Sequence, residues 1–166
     1  MPKIVDPADT PTHSKDAPIA EYAWKTTEDL AQSAGLGKLS CCVRILEQGK
    51  YSYPYHFHHN AEEIFLILSG NGELRTPAGI AEIHEGNIIF FEKGESGAHQ
   101  AFNPHATPLV YIDLRTVDSL DVCEYPDSGK VNILPKRDIF QRGKDSGYFD
   151  GEANIKRIWD ELGSHG

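Results

Sequence analysis

Glu63 opens an apolar, β-branched and aromatic run, Ile64-Phe65-Leu66-Ile67-Leu68, which Ser69-Gly70-Asn71-Gly72 closes as a turn. A short apolar run bounded by turn residues reads as a buried strand. Just upstream stand His56 and His58. Residues two apart on a strand point to the same face, so both imidazoles project together. Glu63 follows across a short polar turn, at the start of the next strand. The fold must therefore bring two imidazoles and a carboxylate into the interior of a sheet. Burying them without a partner would be costly, and together they make a set of divalent-metal ligands.

His99 offers a fourth ligand. It follows Gly86-Asn87-Ile88-Ile89-Phe90-Phe91-Glu92-Lys93-Gly94, a strand pattern with glycine at both ends. These residues resemble the two motifs of the cupin family. His56, His58, Glu63 and Gly70 match the first, with four residues before Glu63, although Gly49 stands one residue farther upstream than the pattern expects. Gly86, Gly94, His99 and Asn103 match the second. That motif departs in two ways: Glu92 stands where proline is usual, and the gap from Gly94 to His99 is two residues longer. Neither departure removes a ligand, and the second implies a differently shaped loop beside His99. Both motifs in order are far more specific than either alone. The segments from Asp121 to Lys130 and from Tyr148 to Glu152 further resemble small bacterial cupins described only as cupin domain proteins or, by analogy, as sugar phosphate isomerases.

The resemblance implies an all-β cupin double-stranded β-helix, or jelly-roll barrel, with an extended N-terminal arm and a short C-terminal helix. It implies one divalent transition metal (Fe, Mn, Ni, Co, Cu or Zn) held by His56, His58, Glu63 and His99, and a homodimer.

The residues themselves divide the chain into an arm over 1–37, a barrel core over 38–116, and an extension over 117–166 that packs on the barrel or on a partner subunit. Four prolines between Pro2 and Pro18 argue for an extended or irregular start. A helical turn is expected near 27–32, with Thr27 as its N-cap. Strands are expected near 40–47, 53–58, 63–69, 73–76, 80–83, 88–91, 99–103 and 109–114. Many short strands with Gly and Pro turns fit a jelly roll. The extension should add one or two strands and a helix over 154–163, where Ile155, Ile158, Trp159 and Leu162 share a face.

A length of 166 residues suits one domain with its own core. The formal net charge of -9 argues against a nucleic-acid surface, which needs clustered Lys and Arg. No apolar run is long enough for a bilayer, and the N-terminus has no signal-peptide core, so no membrane role and a cytoplasmic location are expected. Three cysteines do not suggest a disulfide framework. Cys41 and Cys42 should face opposite sides of their strand, one in the core and one at the surface.

Among neighbouring residues, Glu62 should face away from the ligand side, because the six-residue spacing to Gly70 selects Glu63. His59, His84 and His105 are expected at the surface, and Asn103 in a backbone-satisfying role. Arg44, Arg75 and Arg115 are the candidates for gripping a carboxylate or phosphate, with at most one reaching the interior. Phe65 and Ile67 should line the core. Tyr51, Tyr53 and Tyr55 should cover the outside of their strand. Three functions fit this reading: a metal-dependent enzyme on a small polar metabolite, such as an isomerase of a sugar or sugar phosphate; an iron-dependent dioxygenase; and a non-catalytic small-molecule binder. No catalytic base is identified.

Overall fold

Strand alternation sets the layers. In the strand Glu63–Ser69, every second residue from Glu63 to Ile67 is buried and those between are half-buried. The structure, a computed structural model, describes residues 1–143, 147–150, 152–154 and 157–158. Among them are fourteen strands: β1 Thr12–Asp16, β2 Ala23–Thr27, β3 Leu39–Leu46, β4 Lys50–Tyr51, β5 Phe57–His58, β6 Glu63–Ser69, β7 Asn71–Thr76, β8 Gly79–His84, β9 Ile88–Phe91, β10 Gln100–Asn103, β11 Leu109–Thr116, β12 Asp121–Tyr125, β13 Lys130–Leu134 and β14 Asp138–Gln141. They pair antiparallel into three sheets, ordered β1-β2-β3-β11-β6-β9, β4-β10-β7-β8 and β14-β13-β12-β5. The fold is the expected all-β jelly roll.

The core lies between the first two sheets. Leu46, Phe65, Ile67, Leu74, Leu109 and Tyr111 are among its members, each at most 4% exposed. Burial of such side chains contributes roughly 1.5–3 kcal/mol each. The third sheet stands over the open end, and β5 joins it through the pair Cys123 and His58. An isolated antiparallel bridge between His56 and His99 ties this end to the β10 side. The turn between β6 and β7 depends on Gly70, whose φ is +80°, and any Cβ there would collide with the Pro108 carbonyl oxygen.

Four local expectations need correction. The strand expected at 53–58 is only Phe57–His58, because Pro54 lacks an N–H and interrupts the ladder. The N-terminal segment is more regular than its prolines suggest: β1 and β2 pair over five residues each, and β2 joins β3. The short helix α1, Leu30–Ser33, is capped by Asp29, whose side chain accepts from Gln32 N. Thr27 is instead a buried strand residue whose hydroxyl accepts from Val43 N. The extension supplies three strands, β12 to β14. The helix expected over 154–163 falls largely outside the described residues, as do Ile155, Trp159 and Leu162.

Candidate metal centre

His56, His58, Glu63 and His99 come together and are all buried; the first three line a cavity, and His99 lies behind them against Glu63. Their local geometry follows from the sheet. The bridge between His56 and His99 brings those two rings to 4.8 Å between centroids. Glu63 opens β6 and projects to the same interior face as Phe65 and Ile67. Glu62 lies on the other face and is exposed.

Each imidazole is oriented by its Nδ1. His56 Nδ1 donates to Pro54 O at 2.9 Å, and His99 Nδ1 donates to Gly97 O at 2.9 Å. His58 Nδ1 donates to Asp121 Oδ2 at 2.5 Å. A proton fixed at Nδ1 leaves the Nε2 lone pair free for a cation, the arrangement that outer partners impose on metal-ligating histidines. The long gap from Gly94 to His99 has a structural purpose: Glu95–Gly97 form a 3-10 turn, and that turn supplies the Gly97 carbonyl.

His56, Glu63 and His99 each bring one ligand atom within 4.8 Å of the others'. His58 is set slightly apart: its Nε2 lies 3.9 Å from Glu63 Oε2, and it groups with His56 and Cys123 instead. Glu63 Oε2 and His99 Nε2 face each other at 3.3 Å, buried and without a hydrogen-bond partner. A buried polar atom left so costs about 1–3 kcal/mol, and a cation between the two, a metal ion or a proton on Nε2, would offset that cost. The charges agree. Burial, reinforced by His99, lowers His56 to about 3, so that ring stays neutral. Burial pushes Glu63 upward, but the neighbouring His99 overrides it and holds the carboxyl well below its usual range. Burial likewise disfavours charge on His99, and Glu63 overrides it and raises the imidazole. Positive charge is drawn to the space between them.

The cavity above measures about 610 Å³, within the range of small-molecule sites. One wall is the buried pair of Arg44 and Asp113, with Nε 3.0 Å from Oδ2. Burial and the nearby Glu63 charge raise Asp113 to about 7, against the opposing pull of Arg44. Trp24 and Tyr53 meet edge to face at 4.6 Å on another side. Tyr125 and Cys123 come from β12.

The sequence-based candidates divide accordingly. Asn103 satisfies backbone, donating to Leu46 O and Thr107 O. His59, His84 and His105 are exposed. Arg75 lies outside, paired with Asp127 and stacked over Tyr55. Two arginines, Arg44 and Arg115, reach the cavity, where at most one was expected. Tyr53 also lines it rather than covering the outside, because Pro54 breaks the alternation that placed it. Cys41 is half-buried, while Cys42 is buried and lines the cavity. Sequence reasoning missed Asp113, Asp121, Cys123 and Tyr125. One signal was present: odd-numbered residues from Asp121 to Tyr125 share one strand face.

Comparison with known proteins places this geometry. A family model described as a cupin domain matches residues 43–115. No curated protein matches the chain. Among solved structures, a protein from Acidithiobacillus ferrooxidans, named provisionally as a sugar phosphate isomerase, is similar at 24% identity and a TM-score of 0.68, covering 82% of this chain and 92% of that one. A cupin-superfamily sugar phosphate isomerase from Silicibacter pomeroyi is similar at 16% identity and a TM-score of 0.73, covering 88% and 98%. A predicted oxalate decarboxylase from Thermotoga maritima follows at 19% identity and a TM-score of 0.59, covering 70% and 100%. These likenesses are of fold. Residues 43–115 thus match a cupin domain, and the jelly-roll sheets around them share the fold of these cupin-superfamily structures.

Proposed function

We propose that this protein holds one divalent transition metal with His56, His58, Glu63 and His99 and acts with it on a small polar metabolite in the adjoining cavity. The observation that carries the reading is the pair of buried, unpartnered atoms Glu63 Oε2 and His99 Nε2, with Glu63 lining the cavity. Three imidazoles and one carboxylate suit Fe, Mn, Ni, Co, Cu or Zn better than Ca or Mg. The bound ion would supply Lewis acidity toward a carbonyl or hydroxyl oxygen. The chain's own residues do the rest. Asp121 fixes the His58 ring, the Arg44–Asp113 pair presents fixed charge along one wall, and Trp24 with Tyr53 shields one side from water.

The finer reading is isomerisation of a sugar or sugar phosphate. It draws on the names of two neighbours whose likeness is one of fold, and on a cavity large enough for such a molecule. A panel of phosphosugars, assayed with metal-loaded and chelator-stripped protein, tests it. Metal-dependent turnover is expected, and none above the stripped control would sink the isomerase reading. An oxygenase would instead consume oxygen when iron-loaded, and a binder would retain a ligand without turnover.

The proposal includes a homodimer. On the outer face of the first sheet, Cys41, Leu114, Ile64 and Phe90 form one row across four strands, and Val43, Ile112, Leu66 and Ile88 form the next. Ile88 and Phe90 are 57% and 73% exposed. Val43 is already buried, but the apolar face over β11, β6 and β9 can cover itself with a second copy. A cytoplasmic location fits three free cysteines, and no helix among the described residues is long and apolar enough to cross a membrane.

A further inference from the structure

We infer that Arg115 and Arg137, with Lys15 nearby, form an oxyanion subsite at the rim of the cavity, so the ligand is a small molecule with a phosphate or carboxylate at one end. This deepens the proposed function and rests on it for the other end of the ligand, which would reach the side where His56, His58 and Glu63 line the cavity.

The charged side chains of the cavity wall fall into two sets. The acids are committed. Glu63 lies against His99, and Asp113 faces Arg44. Asp29 caps α1 and also accepts from Cys41 N. Asp121 accepts from His58 through one oxygen and from Asn60 N through the other. The cations are not committed in the same way. Among the described residues, Lys15 and Arg137 have no side-chain hydrogen bond or ion pair, and Arg115 has only long contacts, 3.8 Å to the Asp121 oxygen already taken by His58 and 3.5 Å to His58 Nδ1. A chain with a formal net charge of -9 therefore presents spare positive charge at this rim.

The placement of Arg137 is a second observation. It adopts φ +64°, the one positive φ among the described non-glycine residues. Its N–H donates to Ile133 O, closing the turn between β13 and β14. Left-handed backbone at a non-glycine residue costs on the order of 1 kcal/mol and is held only where the surroundings fix it. Here it aims a long cation at the rim. Arg115 and Arg137 also line a smaller side pocket of about 150 Å³, shared with Asp121 and the exposed Asp118, so both arginines stand where it meets the main cavity. Two guanidinium forks at one junction can each offer paired N–H donors to an oxyanion.

The test is titration of the cobalt-loaded protein with inorganic phosphate and, separately, with acetate, followed calorimetrically. The variants are Arg137→Asn, which tolerates the left-handed backbone without the charge, and Arg115→Gln. Arg75→Gln is the control, and metal content is measured for every sample. Wild type and Arg75→Gln should bind at least one anion, and Arg137→Asn should weaken that binding about tenfold or more with its metal content unchanged. The tighter anion distinguishes a phosphate ester from a carboxylate. If wild type binds neither anion, or Arg137→Asn binds as well as wild type, the subsite is overturned. Wild type that takes up no cobalt yet binds anion in an Arg137-dependent way would sink the metal reading and leave the subsite standing.

Discussion

At the residue scale, the site is decided by what each histidine does with its second nitrogen. Asp121 has the largest part, because its carboxylate rather than a backbone carbonyl orients His58. Burial works to raise Asp121, and the bond from His58 outweighs it, leaving the carboxyl below its usual value. Asp121→Asn keeps the shape and an accepting oxygen but removes the charge. Metal affinity should fall by about 10–100-fold with the fold retained, read by competition with a chromogenic chelator; unchanged affinity would mean the carboxylate does not tune the centre. The sequence made His56, His58, Glu63 and His99 visible because their spacing is carried within two motifs. Asp121 and Asp113 were invisible as site residues because they come from strands more than 45 residues away from the His56–His58 pair, and only the sheet register brings them near.

At the scale of elements, the strands from Glu63 to Thr116 were legible because apolar alternation and Gly turns agree there. The turn at Gly70 is the clearest case. Gly70→Ala adds a Cβ that meets Pro108 O while forcing an L residue to φ +80°. A loss of about 1–3 kcal/mol in unfolding free energy is expected in urea denaturation, and a variant as stable as wild type would show that this turn can relax. The N-terminal hairpin was hidden because its prolines lie outside the paired residues of β1 and β2 rather than within them. Tyr53 was misplaced for the opposite reason: one proline inside an expected strand reset the alternation of everything before His56. Helix α1 shows how neighbouring capping residues compete. Thr27 and Asp29 are both good N-caps, and β2 claims Thr27 first.

At the scale of the whole molecule, the sheet β1-β2-β3-β11-β6-β9 is apolar on both faces along its central strands. One face closes the barrel. The other motivates the dimer, and Phe90→Arg places a charge at its most exposed point. Light scattering should give a dimer for wild type and a monomer for the variant, with metal content unchanged; monomeric wild type would remove the dimer from the account. The jelly roll itself was readable from many short strands and frequent turns, whereas the outer face was not, since inward and outward apolar rows look alike in one sequence. The central claim is the metal centre, and elemental analysis by mass spectrometry on protein purified without chelator tests it most directly, beside a His58→Ala control. The account predicts near-stoichiometric transition metal in wild type and its loss in the variant. Folded wild-type protein with no metal, or equal metal in both, would contradict it.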